Sequence, residues 1–400
     1  MHRILIVSPY IPVPAAGGGG TSYYYYLQGL SNHFEVDLVC LADSTQTVQE
    51  VDSLRQFCTR IEVVRHDKME AYLNCLLALV EGKSLRVAYA GSRRMRSLIR
   101  RLTNERRYCC AIASHERMAQ YLDGLSIPVK ILDFHDIVSF RHRLLMKYSR
   151  NPVSWLVNFI EFLRIRQFEL KQVERFIQTW VCTTEELKKI RHITGRGDIR
   201  VARKGIKVDD FRSTPRSVND YTVMFSGQMS YGPNEDGARF LLDDIWPLVQ
   251  RCLPGVKCWF VGAKPPGWLV SRGHKDPSIE VTGMVETMVP YLRKASVFLC
   301  PLRVGTGVRI KLLEAMAAEC PIVTTSIGYR GIKAVPGRHV VVADTAQEFA
   351  EAVVTLLSNP QQAHAIAKQA YCFVCDNYDL EVVSQEVAAL VWESVSTFLR

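Results

Sequence analysis

Residues 297–328, VFLCPLRVGTGVRIKLLEAMAAECPIVTTSIG, leave a chain very few ways to fold. Val297-Phe298-Leu299-Cys300 is a short apolar run ending at Pro301, the pattern of a strand buried on both faces of a parallel sheet. The Gly305-Thr306-Gly307 turn then leads into a segment whose apolar residues Ile310, Leu313, Ala317 and Ala318 recur at helical spacing. Pro321 closes that helix, and Ile322 to Thr325 begin the next strand. The unit is strand, glycine turn, helix, strand. In such a unit the free N–H groups at the helix start face the crevice at the carboxyl ends of the strands, where an anion is stabilised. Arg309 and Lys311 add two cations at the helix start and Glu314 follows one turn later, which suits a nucleotide's diphosphate and ribose hydroxyls. A glycine turn alone is a weak signal, and a plain βαβ unit with surface cations fits the same residues.

The wording G-x-G-x-R-x-K-x-L-E-A-M-A from Gly305 to Ala317, followed by Pro321 and the Thr325 to Gly328 segment, narrows this. It resembles the donor-site signature of the retaining GT-B glycosyltransferases, especially glycosyltransferase family four. The resemblance implies an α/β chain of two Rossmann-like domains facing across a cleft, with a C-terminal helix crossing back to the first. It also implies that Arg309, Lys311 and Glu314 act in the reaction, and that Gly305, Thr306, Gly307 and Val308 contact the donor. The family usually carries two glutamates separated by seven residues; here the second is Glu314 and the first position is Thr306.

Four hundred residues exceed what one core usually fills, so two domains are expected, 1–205 and 221–379, joined by a polar linker at 206–220. Residues 380–400 are read as the helix returning to the first domain. The excess of positive charge is confined to the first half. Residues 1–205 hold 31 Lys and Arg against 20 Asp and Glu, whereas 206–400 hold 19 against 20. It is densest at 86–107, with eight arginines and one acidic residue, where Met95, Leu98, Ile99 and Leu102 share one helix face. Arg93, Arg94 and Arg96 are therefore acceptor-side candidates for an anionic headgroup or phosphate, an ordinary solvated face being the alternative. No recognition motif or aromatic platform accompanies the charge, so nucleic acid is not an expected partner. Twelve dispersed cysteines read as buried thiols, and Cys372-x-x-Cys375 lacks the second pair a zinc site needs. No metal site and no cofactor are expected.

Along the first half, strands are expected at 4–7, 36–41, 61–64, 110–113, 129–133 and 180–183, with a helix from Thr21. Gly18, Gly19 and Gly20 lie between the first strand and that helix, where glycine backbone admits a ligand closely. The resemblance gives that loop contacts to donor and acceptor. His115 and His135 stand at two strand ends, where open α/β sheets build their sites; a satisfied structural histidine is the alternative. His135, followed by Asp136, resembles the family's loop over the donor sugar, where the histidine bonds a sugar hydroxyl. Residues 153–177 carry aromatic and aliphatic side chains at helical spacing, read as core rather than as a membrane-docking face.

Relatives usually have Pro-Asn-Gly where this chain has Arg203-Lys204-Gly205. In the second half, the Phe225 to Asn234 pattern F-x-G-x-M-x-Y-x-P-N resembles a bacterial subgroup tied to polysaccharide assembly and nominates Gly227. By the same resemblance Gly283 and Met284 receive the nucleobase. The expected activity is metal-independent transfer, with retention, of a sugar from a nucleotide-sugar donor to a glycan or lipid-linked acceptor. A nucleotide-sugar-binding assembly subunit and a same-fold sugar-nucleotide epimerase or hydrolase remain as alternatives. The opening MHRILIVSPY is read as a strand and no apolar run nears the roughly 18 residues that span a bilayer. A cytoplasmic protein with possible contact to an anionic membrane face is expected.

Overall fold

The computed structural model describes residues 2–13, 19–42, 51–148, 151–212, 215–217, 221–305 and 307–399. The chain divides into two compact units, residues 1–205 with 380–400, and residues 206–379.

The first unit is built on seven parallel strands: β1 (Arg3–Ser8), β2 (Glu35–Ala42), β3 (Arg60–Arg65), β4 (Cys110–Ser114), β5 (Val129–Asp133), β6 (Gln178–Val181) and β7 (Ile199–Val201). Their order is β3-β2-β1-β4-β5-β6-β7, with β1 central. The sequence alternates strand and helix, and right-handed crossovers then cover both faces. The helices are α1 (Gly19–Ser31), α2 (Lys68–Val80), α3 (Leu85–Tyr89), α4 (Arg93–Glu105), α5 (Val138–Tyr148), α6 (Pro152–Arg175) and α7 (Thr184–Thr194). The terminal helix, labelled α15 below (Leu380–Leu399), packs on α1. It buries Val383, Val387, Val391 and Val395 against Leu27, Leu30 and Phe34. The contact is close enough that a Cβ on Gly29 would lie 2.0 Å from Ser384 Cβ, so Gly29 is where the two helices touch. Arg203 pairs with Glu386 and Arg200 with Glu393 on the same helix.

The second unit has six parallel strands, β8 (Thr222–Ser226), β9 (Lys257–Val261), β10 (Ile279–Gly283), β11 (Val297–Cys300), β12 (Ile322–Thr324) and β13 (Val341–Val342), in the order β10-β9-β8-β11-β12-β13. Its helices are α8 (Gly232–Arg239), α9 (Trp246–Cys252), α10 (Gly267–Lys275), α11 (Val289–Lys294), α12 (Ile310–Ala317), α13 (Ala346–Ser358) and α14 (Pro360–Tyr378). α13 opens with a full capping box between Thr345 and Glu348.

Several local expectations shift. The helix after β1 starts at Gly19, two residues before Thr21. The arginine-rich stretch is two helices, because Ser92 caps α4 and the chain breaks at Ala90-Gly91. α12 ends four residues before Pro321. Glu319 takes a left-handed conformation (φ 53°) and the Cys320 N–H bonds Ala315 O at 2.9 Å, a Schellman-type close that stops the helix first.

The reading of 153–177 as core holds only for the second half of α6. Ile165 and Val173 are buried, whereas Val153, Trp155, Leu156, Val157, Phe159 and Ile160 are exposed. α6 pairs mainly with α5 there, and these side chains stay exposed among the described residues.

Candidate active site

In the second unit, the ends of β8 and β11 and the start of α12 hold the cation the sequence singled out. Lys311 Nζ donates to Ser226 O at 2.5 Å and to Asn234 Oδ1 at 2.8 Å, and lies 4.6 Å from the centre of the Phe225 ring. Three members of the F-x-G-x-M-x-Y-x-P-N pattern thus form one cage for this ammonium. Gly227 allows it: at φ 138° a Cβ there would stand 2.7 Å from Asn234 Nδ2 and 3.0 Å from Lys311 Nζ. Every partner in the cage is neutral, so burial wins and drops Lys311 to about 8. Glu314, one turn on, is pushed up to about 7 by burial, against the pull of Lys311.

Arg309 precedes α12 at its N-cap position and donates to Gly307 O at 2.7 Å. Its guanidinium crowds Gly305, where a Cβ would lie 2.6 Å from an Arg309 nitrogen at a φ of 139° that L residues rarely adopt. Thr325 ties this loop down, donating to Leu302 O and accepting from Gly328 N at 2.9 Å. Val308 is half-buried at the same turn, while Thr306 lies outside the described residues. Gly283 ends β10 at φ 70°, and the exposed Met284 lines a cavity of about 660 Å³ with Trp259, Thr282 and Tyr291.

In the first unit, the two predicted histidines stand at adjacent strand ends, and both have strained positive φ, 71° for His115 and 55° for His135. Their rings stack at 4.3 Å, and His135 stacks on Tyr23 at 4.8 Å on its other face. Sequence reasoning missed what lies beneath them. Lys204 is buried, with Nζ 3.0 Å from Asp133 Oδ2, 3.5 Å from His135 Nε2 and 4.4 Å from the centre of the Tyr26 ring. Asp133 also accepts from the His135 backbone N–H at 3.1 Å, fixing the strained turn. Burial alone would lower Lys204, but the Asp133 carboxylate outweighs it and holds the ammonium above the ordinary lysine range. Burial, then the neighbouring Lys204 charge, keeps His135 well below the usual histidine range; burial and His135 do the same to His115. Both imidazoles are neutral, so His135 and Asp133, 3.3 Å apart, are not an ion pair.

The tyrosine run after the glycines, which carried no motif, supplies the aromatic lining of this cluster. The signal available in the sequence for Lys204 was its departure from Pro-Asn-Gly.

His115, but not His135, borders a cleft of about 1090 Å³ wholly within this unit. Gly20, Tyr10 and His115 lie at one part of it, Leu79, Val157 and Ile160 supply apolar wall, and Arg86, Arg117, Arg141 and Arg164 supply charge. Arg86 pairs with the buried Glu116 at 2.6 Å and Arg141 with Asp136 at 3.7 Å. Arg117 has no ion pair among the described residues; burial and the Arg86 charge hold it down at about 10. Arg93, Arg94 and Arg96 are instead on the exposed face of α4 and do not line this cleft. Gly19 opens α1, and Gly18 lies outside the described residues. Among the described residues, no three His, Cys, Asp or Glu side chains come together as a metal-binding group.

The chain is similar in sequence and in fold to known proteins. Residues 220–359 match the family model described as glycosyl transferases group 1. The chain is 22% identical over 400 residues to an uncharacterised 44.6 kDa protein in the cps region of Klebsiella pneumoniae, spanning 97% of this chain and 99% of that one. It is 29% identical over 206 residues to a phosphatidyl-myo-inositol mannosyltransferase of Mycobacterium leprae, which covers 48% of this chain and 53% of the relative. Among solved structures, HepE of Anabaena, crystallised with UDP and glucose, superposes with a TM-score of 0.71 at 14% identity, over 99% of this chain and all of that one. The chain has the GT-B fold, and residues 220–359 of its second unit match the group 1 glycosyltransferase model.

Proposed function

We propose that the protein is a retaining, metal-independent glycosyltransferase whose second unit binds a nucleoside-diphosphate sugar and whose first unit takes an anionic or lipid-linked acceptor. The observation that carries this reading is the caged Lys311 beside Arg309 and Glu314 within the group 1 domain. As the bond from sugar to diphosphate breaks and the acceptor oxygen takes its place on the sugar, negative charge grows on the departing nucleoside diphosphate. Two preorganised cations at a helix start stabilise that charge without reorganising. Glu314 receives the ribose hydroxyls, Gly305, Gly307 and Val308 approach the diphosphate, and the cavity beside Gly283 and Met284 receives the base. Gly227 keeps the backbone of β8 open to the donor. Neutral His135, braced by Asp133 and Lys204, bonds a hydroxyl of the transferred sugar, and Gly18 to Gly20 edge the same ligands. The arginines of the 1090 Å³ cleft suit an acceptor that bears phosphate. The cps-region description of the Klebsiella relative supports a role in polysaccharide or glycoconjugate assembly.

Thermal stabilisation by a panel of nucleoside diphosphates and their sugars tests the donor half. A ligand at about 100 times its Kd stabilises by about 2.7 kcal/mol. One nucleotide should stabilise the wild type and lose that effect in Glu314→Ala. Thr306 at the first glutamate position favours one second reading, a nucleotide-sugar-binding assembly subunit. Binding without turnover of any lipid-linked or glycan acceptor would select it.

A further inference from the structure

Two helices of the first unit present apolar stripes to solvent. On α2, Met69, Tyr72, Leu73, Leu76, Leu77 and Val80 fall at the three- and four-residue spacing of one helix face, and each is more than half exposed. The small Ala71 and Ala78 are what that helix buries. On α6, Val153, Leu156, Val157 and Ile160 repeat the spacing, and the exposed Trp155 and Phe159 stack at 5.2 Å beside them. Amphipathic helices of a water-soluble surface normally point such stripes inward. The stripes belong to one region, because Leu79 of α2 and Val157 and Ile160 of α6 wall the same cleft, and Arg164 donates to Leu79 O at 3.4 Å.

The charge around the α6 stripe is one-sided, while that around α2 is mixed (Asp67, Lys68, Glu70, Glu81 and Lys83). Residues 138–166, which span α5 and the exposed part of α6, contain the cations Arg141, Arg143, Lys147, Arg150, Arg164 and Arg166 and one acid, Glu161. A second copy of the chain would bring the same positive charge to this face, whereas an anionic bilayer complements it. Leu, Val, Phe and Trp side chains at an amphipathic surface with flanking Arg and Lys are the composition that settles into the headgroup boundary. No described helix is long and apolar enough to cross a membrane, so the helices would lie on the surface.

We propose that the exposed faces of α2 and α6 seat the first unit on an anionic lipid bilayer, with the arginine-bearing cleft they wall opening toward the lipid surface. The docking stands on the surface of the first unit alone, so it can fail while nucleotide binding by the second unit holds, and the reverse.

Flotation of the full-length protein with vesicles tests it. Wild type should float with phosphatidylcholine vesicles containing about 30% phosphatidylglycerol, and bind about tenfold less to pure phosphatidylcholine or in high salt. Two triple variants at exposed positions, L73S/L76S/L77S and W155S/L156S/F159S, should each lose flotation by about tenfold while unfolding temperature and nucleotide stabilisation stay at wild-type values. Flotation unchanged in both variants overturns the proposal, as does failure of wild type to float. If the non-floating wild type has twice the 45.4 kDa mass of the chain and the variants return to monomer, the face belongs to a second copy.

Discussion

Each unit encloses one lysine at the ends of its central strands, Lys204 fully and Lys311 in part, and the two are kept charged by opposite means. Lys204 faces a carboxylate, Asp133, and its ammonium is held above the ordinary lysine range. Lys311 faces a carbonyl, an amide oxygen and a ring, and is lowered to about 8. Among the described residues Lys311 has no ion pair, so its counter-charge has to arrive with a ligand. The charge of Lys204 is already answered within the fold. Burying a charge is tolerated when a partner meets it, and a buried charge without one marks a site poised for an anion. On the proposed function this comparison makes Lys204 a positioning residue, bracing His135 and its strained turn, and Lys311 a binding residue.

The largest effect should come from breaking the paired lysine. Lys204→Met leaves Asp133 buried without its cation, at a cost of about 3–5 kcal/mol in denaturant unfolding of the first unit. Asp133→Asn/Lys204→Met should regain most of that, since removing both charges is far milder than removing one. Lys311→Met should do the reverse. Its stability stays near wild type, because the lost cage contacts are offset by relief from burying an unpaired charge. Nucleotide-induced stabilisation disappears and kcat/KM falls about 10²–10³-fold, as when one preorganised group aimed at developing charge is removed. A Lys311→Met protein that binds nucleotide normally would put the donor elsewhere.

Alkaline titration separates the two lysines by a smaller margin. Lys311 is charged below about 8 and neutral above it, so diphosphate affinity should fall up to tenfold per pH unit as pH rises past 8. Glu314, pushed up to about 7, becomes the carboxylate as pH rises through 7, which sets the acid limb. The affinity profile should therefore peak between pH 7 and 8. The shift is opposite at Lys204, so its contribution is lost too as pH rises, but only at a higher pH. A cation whose folded pKa lies above its unfolded value contributes stability that is fully present below about 10.5, the unfolded value, and is lost as pH rises through the folded one. Isothermal titration with the stabilising nucleotide diphosphate across pH 6–9.5, alongside unfolding curves, would show binding failing before the first unit loosens.

These contrasts also explain what could be read from sequence. The βαβ unit around Gly305, the strand order of apolar runs and the terminal helix were legible because burial on both faces writes continuous apolar stretches and a parallel sheet permits few connections. Lys311 and its motif were legible because both halves of the cage are local patterns. The Lys204 cluster was not, since Tyr23 and Tyr26, Asp133 and His135, and Lys204 come from three separate segments that only the sheet brings together. The exposed stripe of α6 was misread for a related reason, and that of α2 drew no reading at all. Helical periodicity shows that one face is apolar, and it does not say whether that face meets the core or something outside the chain.

The smallest effect probes how closely the Lys311 cage depends on backbone. Gly227 sits at φ 138°, where an alanine is strained, and its Cβ would press on Asn234 Nδ2 and Lys311 Nζ. Both contacts are to movable side-chain ends, so Gly227→Ala should fold, with stability lower by about 1–2 kcal/mol. The displaced ammonium should weaken nucleotide binding about tenfold and, having lost part of its neutral cage to solvent, regain a higher pKa. The alkaline fall in affinity should then move above pH 8. Gly283→Ala is the control. It has a similar positive φ of 70° but no atom within 4 Å of the added Cβ, so it carries backbone strain without touching the lysine. If both variants shift the alkaline limb equally, strain rather than the cage sets the Lys311 titration, and the contrast between the two lysines loses its basis.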